Sequence, residues 1–203
     1  DALLDPSISL VTLQGAAGSG KTLLALAAGL QLVKSKKYES IIAARPVIPL
    51  QAQDLGFLKG SEQEKIAPYM QPFFDNLAYI KSLYSSKTSK SAAKLDKLTE
   101  DGVLTLTALA FIRGRSIPNS FFIIDEAQNL TPHEIKTIVT RAAEGTKLIF
   151  TGDINQIDTP YMDKKSNGLT YLIDRFKGQS ISAHIKLQRG ERSKLANLAN
   201  KLL

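Results

Sequence analysis

Cysteine is absent from the 203-residue chain, and histidine occurs only at His133 and His184. The lack of cysteine excludes a disulfide framework, a cysteine zinc cluster and a cysteine nucleophile. Two histidines are too few for a histidine-rich metal site. The longest apolar stretch, 23–33, is interrupted by Gln31 and is much shorter than the roughly 20 residues that a membrane span needs. We therefore expect no membrane partner.

The chain begins with Asp1 instead of Met, and no signal-peptide pattern is present. We therefore expect either a processed chain or a fragment of a longer protein, and we favour the fragment. We expect that protein in the cytoplasm. The net charge of +7 would suit a polyanionic partner. However, much of this charge lies in the Ser-, Thr- and Lys-rich segment 81–97, whose composition favours a solvated or disordered loop over a nucleic-acid groove.

Short apolar runs alternate with longer helical patterns along the chain. This alternation is typical of an α/β fold in which a mostly parallel sheet carries helices on both faces. The predicted strands are 8–14, 41–44, 103–107, 121–125, 147–151 and 181–187. Predicted helices cover 22–34, 169–176 and 191–203, and another starts at a capping box of Thr131, Pro132 and Glu134 and stops near Gly145.

One segment, at about residues 47–102, breaks this alternation. It contains Tyr69, Phe73, Leu77 and Ile80 at helical spacing, which favours a packed helix face over a surface for stacking bases. The segment is too small to bury a core of its own. We therefore predict one domain over residues 1–203, with this segment as a helical insertion.

Eight residues at the end of the first predicted strand match the pattern G-x-x-x-x-G-K-[ST]. They are Gly15, Ala16, Ala17, Gly18, Ser19, Gly20, Lys21 and Thr22. In such a loop, backbone N–H groups point at phosphate oxygens, and the following helix adds its positive dipole end. The lysine reaches the β and γ phosphates, and the threonine hydroxyl binds Mg²⁺. The pattern therefore predicts ATP and Mg²⁺ as cofactors.

Two acids, Asp125 and Glu126, come directly after the apolar run 121–124. Ligands of open α/β sheets bind at the carboxyl ends of the strands. We expect Asp125 to hold Mg²⁺ and Glu126 to orient and deprotonate the attacking water. Asp153 and Gln156 come after another predicted strand at the same edge, where they could contact the γ-phosphate or its water. A turn built on glycine and aspartate is the competing interpretation of that segment.

The arginines offer several candidates for a finger, a cation beside the γ-phosphate that accelerates phosphoryl transfer. The candidates are Arg115, Arg141, Arg189 and Arg192. Arg141 falls on a predicted helix, where a surface role is commoner, whereas Arg189 and Arg192 flank a predicted turn that could project toward a neighbouring subunit. Arg45 ends a predicted strand and could touch a nucleic-acid backbone or cap the sheet edge.

These motifs, in this order, resemble the PhoH-like ATPases. The similar stretches are GAAGSGKTLLALAAGL at 15–30, ARPVIP at 44–49, 55–60, 64–77, GRSIPNSFFIIDEAQNL at 114–130, 140–141, TGDINQIDTP at 151–160 and 187–202. The family usually has Leu-Pro-Gly-Asp where this chain has Leu58, Lys59, Gly60 and Ser61. The departure lies in the insertion and leaves the phosphate loop unchanged.

The resemblance implies a RecA-like P-loop fold, similar to one motor domain of superfamily 1 helicases, with Asp153 and Gln156 as its phosphate-sensing motif. The end of the chain is most similar to the subgroup with an N-terminal PIN ribonuclease domain. For the parent protein, this implies single-stranded RNA as a partner and ATP-dependent RNA unwinding coupled to cleavage.

The chain has room for only one RecA-like fold, so an arginine finger must come from another subunit. We therefore expect a ring-shaped homo-oligomer, a hexamer by family likeness, with Arg192 or a nearby arginine facing the adjacent site. Two alternatives to an RNA-directed motor stay open. One is a nucleotide-controlled assembly switch without unwinding, and the other is a phosphotransferase, which the acid pair disfavours because a water-activating acid would waste ATP.

Overall fold

The computed structural model describes residues 1–47, 62–85, 89–112, 116–188 and 190. Its centre is a six-stranded sheet in the order β3-β2-β4-β5-β1-β6, and all the strand pairs are parallel. The strands are β1 (Leu10–Gly15), β2 (Ser40–Arg45), β3 (Leu104–Ala108), β4 (Ser120–Ile124), β5 (Lys147–Gly152) and β6 (Ser182–Leu187). The predicted α/β class is confirmed, and because every strand is parallel, all the carboxyl ends meet at one edge.

Helices cover both faces of the sheet. They are α1 (Lys21–Lys34), α2 (Glu62–Ser85), α3 (Ser89–Glu100), α4 (Pro132–Val139) and α5 (Gly168–Phe176), with short 3₁₀ helices at Leu109–Ile112 and Ala127–Asn129. One core cluster joins the sheet to α1 and α2, and the other joins it to α4 and α5. Of the helices that the structure describes, none is long and apolar enough to cross a bilayer.

Strand β4 lies between these two clusters. Phe121 and Ile123 pack into the first, whereas Phe122 and Ile124 pack into the second. Side chains alternate between the faces of a strand, so a strand covered on both sides needs an unbroken apolar run. Strand β4 is fully buried, which explains its apolar run. Asp125 follows its last residue and therefore lies at the carboxyl edge of the sheet.

Helix α4 begins as predicted but ends early. Thr131 and Glu134 form the capping box, and Pro132 occupies the first turn. The helix ends at Val139, so the predicted stop at Gly145 is wrong. The backbone after Val139 turns to bond the segment before β4, with Ala143 N donating to Ile117 O and Asn119 N donating to Glu144 O.

The insertion is helical where the structure describes it. Phe73 and Ile80 are buried and Tyr69 and Leu77 are half-buried, which confirms the predicted packed face. The prediction of a solvated loop over 81–97 is wrong, because α2 runs to residue 85 and α3 covers the segment from 89 onward. The reason is that Leu95 and Leu98 give α3 an apolar side that packs against the core. Two sequence predictions lie outside the described residues. They are the family-like stretch at 55–60 and the helix over 191–203.

Candidate nucleotide site

The segment between β1 and α1 folds as a tight loop. Gly18 and Gly20 adopt φ angles of 76° and 82°, a left-handed region that glycine enters without steric cost. A Cβ on Gly15 would lie 2.7 Å from Ser19 Oγ and 3.0 Å from the Leu187 Cβ. These glycines therefore let the chain curl into the cradle that the sequence pattern predicts.

The loop is suited to an anion. Gly20 is the N-cap of α1 and has no side chain to cap it, and the first turn of α1 carries no acid. The uncapped N–H groups and the helix dipole favour negative charge there. Ser19 Oγ is buried and has no hydrogen-bond partner among the described residues. An unsatisfied buried hydroxyl in a glycine cradle fits a phosphate group.

Lys21 folds back over this loop. Its Nζ donates to the carbonyl oxygens of Gly15 at 2.6 Å and Ala16 at 3.0 Å. These contacts hold the ammonium at the mouth of the loop, beside the place where phosphates would lie. The predicted residues Ala17 and Ser19 complete the same turn, since Ser19 N donates to Ala16 O at 3.1 Å.

Asp125 lies against the start of α1. The hydroxyl of Thr22 donates to Asp125 Oδ1 at 3.0 Å, and the hydroxyl of Thr151 on β5 donates to the same oxygen. The structure thus brings together the two residues predicted to bind Mg²⁺. Hydroxyl and carboxylate oxygens are the hard ligands that Mg²⁺ prefers, usually with waters and substrate phosphates completing its shell.

Asp153 lies beneath the phosphate loop. Strand β5 runs between β1 and β4, so its end reaches both the loop and the acid pair. Asp153 is almost fully buried, and its Oδ2 accepts a hydrogen bond from Ala17 N at 3.1 Å. Its Oδ1 accepts from Asn155 N at 3.0 Å. The carboxylate therefore braces the loop backbone, while the side chain of Gln156 is exposed at the same edge.

Glu126 stands in a left-handed backbone conformation, with φ 54° and ψ 38°. Its Oε2 accepts a hydrogen bond from Gln128 Nε2 at 2.6 Å, and its Oε1 lies 3.6 Å from Arg45 Nη2. Burial and the charge of Asp125 raise the pKa of Glu126, against the lowering effects of Gln128, Arg45 and Lys21. A raised pKa makes this carboxylate a stronger proton acceptor.

Gln128 is a site residue that the sequence motifs do not predict. Its side chain is fully buried, its Nε2 also donates to the carbonyl of Gln156 at 2.8 Å, and its Oε1 accepts from Asp153 N at 3.1 Å. A Cβ on Gly152 would overlap with Oε1 of Gln128. The signal was a glutamine shortly beyond the acid pair in DEAQN, where an amide has both a donor and an acceptor to offer.

The candidate arginines are only partly described. Arg115, Arg189 and Arg192 lie outside the described residues. Arg141 comes after the end of α4, and Ala142 next to it bridges to Ile117 before β4. This places Arg141 at the amino ends of the strands, opposite the phosphate loop. Arg45, by contrast, lies beside Glu126.

Together, the parallel sheet, the glycine cradle and the acid pair at one edge define a P-loop nucleotide triphosphatase domain. A family model described as "PhoH-like protein" matches residues 2–202, and the chain belongs to this family. Membership implies the use of a nucleotide, usually with Mg²⁺.

The curated relatives agree with this assignment. The chain is 51% identical to Protein PhoH2 of Bacillus subtilis over 205 residues, which cover 100% of the chain and 45% of that protein. Protein PhoH2 of Mycolicibacterium smegmatis is 38% identical, again over 100% of the chain and 44% of the relative. The chain thus spans less than half the length of these relatives.

The solved structures are more distant. The Pif1 helicase of Candida albicans superposes with a TM-score of 0.42 at 14% identity, over 97% of this chain and 40% of the helicase.

Proposed function

We propose that this domain hydrolyses ATP with Mg²⁺ and that single-stranded RNA stimulates the reaction. The observation that carries the proposal is the pair Thr22 and Asp125, joined at 3.0 Å, with the carboxylate of Glu126 on the adjacent residue. A metal-binding pair next to a held carboxylate supports hydrolysis better than transfer to a metabolite, because the carboxylate can activate water.

The residues have distinct roles in this reaction. The N–H groups from Gly15 to Thr22 would bind the phosphates, and Lys21 would release its two carbonyl contacts and move to the β and γ phosphates. Thr22 and Asp125 would hold Mg²⁺, which neutralises charge that develops on the phosphates. Glu126 would take a proton from the attacking water, and Gln156 would contact the γ-phosphate with its exposed side chain.

An arginine from a second subunit would complete the site. The described part of the chain places no arginine other than Arg45 beside the acid pair, and Arg45 is engaged with Glu126. We propose that Arg192 of an adjacent copy reaches the γ-phosphate in a ring-shaped, hexameric homo-oligomer. The mass of the protein with and without ATP tests this assembly.

A loop at the carboxyl edge offers a surface for RNA. Tyr161 is fully exposed, at 105%, and adopts a φ of 63°, and the exposed Lys164 and Lys165 lie just beyond it in the chain. Asn129, three residues beyond Glu126, holds this loop by accepting from Asp158 N at 2.8 Å and from the Thr159 hydroxyl at 2.9 Å. An exposed aromatic ring with nearby cations suits a single strand, and the brace would connect the strand to the acid pair.

The parent protein would then be a PIN nuclease–helicase in which this domain uses ATP to unwind RNA. An ATPase titration of the full-length protein with single-stranded RNA and DNA tests this proposal, with Lys21→Ala as the inactive control and Lys34→Ala, at the other end of α1, as the matched control. We expect RNA to raise the turnover of the wild type and of Lys34→Ala. A basal rate that RNA leaves unchanged would favour an assembly switch instead.

A further inference from the structure

Arg45 connects the acid pair to the inserted helix α2. It is the last residue of β2, which pairs with β4 in the sheet. Its Nη2 lies 3.6 Å from Glu126 Oε1, and its Nη1 donates to the carbonyl of Tyr69 on α2 at 3.2 Å. One guanidinium therefore contacts both the candidate base and the insertion.

The two oxygens of Glu126 are held in different ways. Oε2 is held by Gln128, two residues away in the chain, at 2.6 Å. Oε1 is held by Arg45, which also contacts the Tyr69 carbonyl on the inserted helix α2. A shift of α2 against the sheet would therefore change the hold on Oε1 and leave the hold on Oε2 in place.

Two buried side chains of α2 pack this helix against the sheet. Met70 and Phe73, which lie close to Tyr69 in the chain, are both buried in the core cluster that contains Ile41 of β2. The guanidinium is rigid and planar, and its side chain is only 18% exposed. Such a group transmits a displacement better than a flexible, solvated lysine would.

We propose that Arg45 is a positioning residue that couples the inserted helix α2 to Glu126, so that the place of α2 on the sheet sets the orientation of the base. The inference rests on the proposed hydrolysis of ATP. It gives the insertion a role in controlling turnover, through the contacts of Arg45 with Glu126 and with the Tyr69 carbonyl.

The first test compares steady-state ATPase kinetics of the full-length wild type, Arg45→Gln and Arg45→Lys. A small displacement of a catalytic group costs up to about a hundredfold in rate. We expect Arg45→Gln to lower kcat on the order of tenfold or more, with KM for ATP unchanged, and we expect Arg45→Lys to recover part of the loss. Arg175→Gln, an exposed arginine on α5, is the control and should keep wild-type kinetics.

A double-mutant cycle separates an effect through Glu126 from a general one. Glu126→Asp shortens the side chain and moves its carboxylate away from the guanidinium. In that background Arg45→Gln should cost little further activity, because residues that act as a unit are not additive. Equal losses in the two backgrounds, or a changed KM alone, would overturn the role of Arg45.

The link to α2 has its own measurement, which uses the absence of cysteine from these 203 residues. A fluorophore on a single cysteine at Tyr79, an exposed position of α2, reports the surroundings of the helix. A non-hydrolysable ATP analogue should change its signal in the otherwise wild-type protein and not with Arg45→Gln. The same change in both proteins would refute the coupling. If the wild type itself did not hydrolyse ATP, the proposed hydrolysis would fail, which is a distinct outcome.

Discussion

The hydroxyl of Thr22 donates a hydrogen bond to Asp125 Oδ1 at 3.0 Å, although the two residues are 103 positions apart in the chain. Thr22 lies in the first turn of α1, and Asp125 comes directly after the buried strand β4. Their contact fixes the distance between the phosphate loop and the acid pair. It also places together the two oxygen ligands that would hold Mg²⁺.

Replacing Asp125 with asparagine should therefore weaken metal use. Asp125→Asn keeps the shape and can still accept from the hydroxyls of Thr22 and Thr151, but it removes the negative charge. We expect the Mg²⁺ concentration for half-maximal ATPase activity to rise on the order of tenfold or more. A Mg²⁺ titration of the rate measures this, and Asp174→Asn, an exposed aspartate on α5, should leave it unchanged.

Removing the amide of Gln128 should affect both stability and turnover. Gln128→Ala leaves the buried N–H of Asp153 without its acceptor, which costs about 1–3 kcal/mol of unfolding free energy. It also frees Oε2 of Glu126, so kcat should fall. Urea unfolding and ATPase assays measure the two effects. Gln71→Ala, an exposed change on α2, is the control, and equal results for the two variants would contradict the role of Gln128.

Burial of Lys147 should make the free energy of unfolding depend on pH. Its side chain is almost fully buried, and its Nζ donates to the carbonyls of Ala2 at 2.8 Å and Asp5 at 2.7 Å. Burial lowers the pKa of Lys147 from 10.5 to about 8, although the charge of Asp5 raises it. Between these values the unfolded chain binds more protons than the folded one, so stability rises with pH.

The expected gain from pH 8 toward pH 10 is about 3 kcal/mol at most, from a pKa difference of this size. Below pH 8 both states are protonated, and the cost of burying the ammonium is fully present. Urea unfolding of the wild type and of Lys147→Met at pH 7.5 and 9.5 isolates this contribution. Parallel pH dependences in the two proteins would show that Lys147 does not cause it.

Tyr161 should affect RNA and leave basal activity intact. Tyr161→Ala removes an exposed ring worth about 1–3 kcal/mol of stacking with a base. We expect weaker binding of single-stranded RNA and a higher RNA concentration for half-maximal stimulation, with the rate without RNA unchanged. Fluorescence anisotropy measures the binding. Tyr79→Ala, an exposed tyrosine on α2, should behave as the wild type, and identical affinities for the two variants would remove Tyr161 from the RNA surface.

The fold and the outline of the site could be predicted from the sequence because their signals are local. The glycines at 15, 18 and 20 with Lys21, and the apolar run before Asp125, each specify the end of a strand and the polar groups placed there. The contacts that Arg45 and Gln128 make could not be predicted in this way. They depend on how one strand end lies against the next, and a sequence pattern does not contain the side-chain geometry across the edge.

The errors have equally specific causes. Gly145 is a turn glycine with a φ of 75°, but the turn leads into β5 and does not end α4. The composition of residues 81–97 suggested a loop because lysine and serine outnumber the leucines. Two leucines on one side, Leu95 and Leu98, nevertheless suffice to pack a helix against an existing core.

In the proposed mechanism, Glu126 activates the water that attacks ATP. A general base contributes about 10²- to 10⁴-fold to a rate. Single-turnover hydrolysis and ATP binding should therefore be measured for Glu126→Gln, with the exposed Glu144→Gln as the matched control. We predict that Glu126→Gln binds ATP as the wild type does and hydrolyses it at least about a hundredfold more slowly. Hydrolysis by Glu126→Gln at the wild-type rate would contradict it.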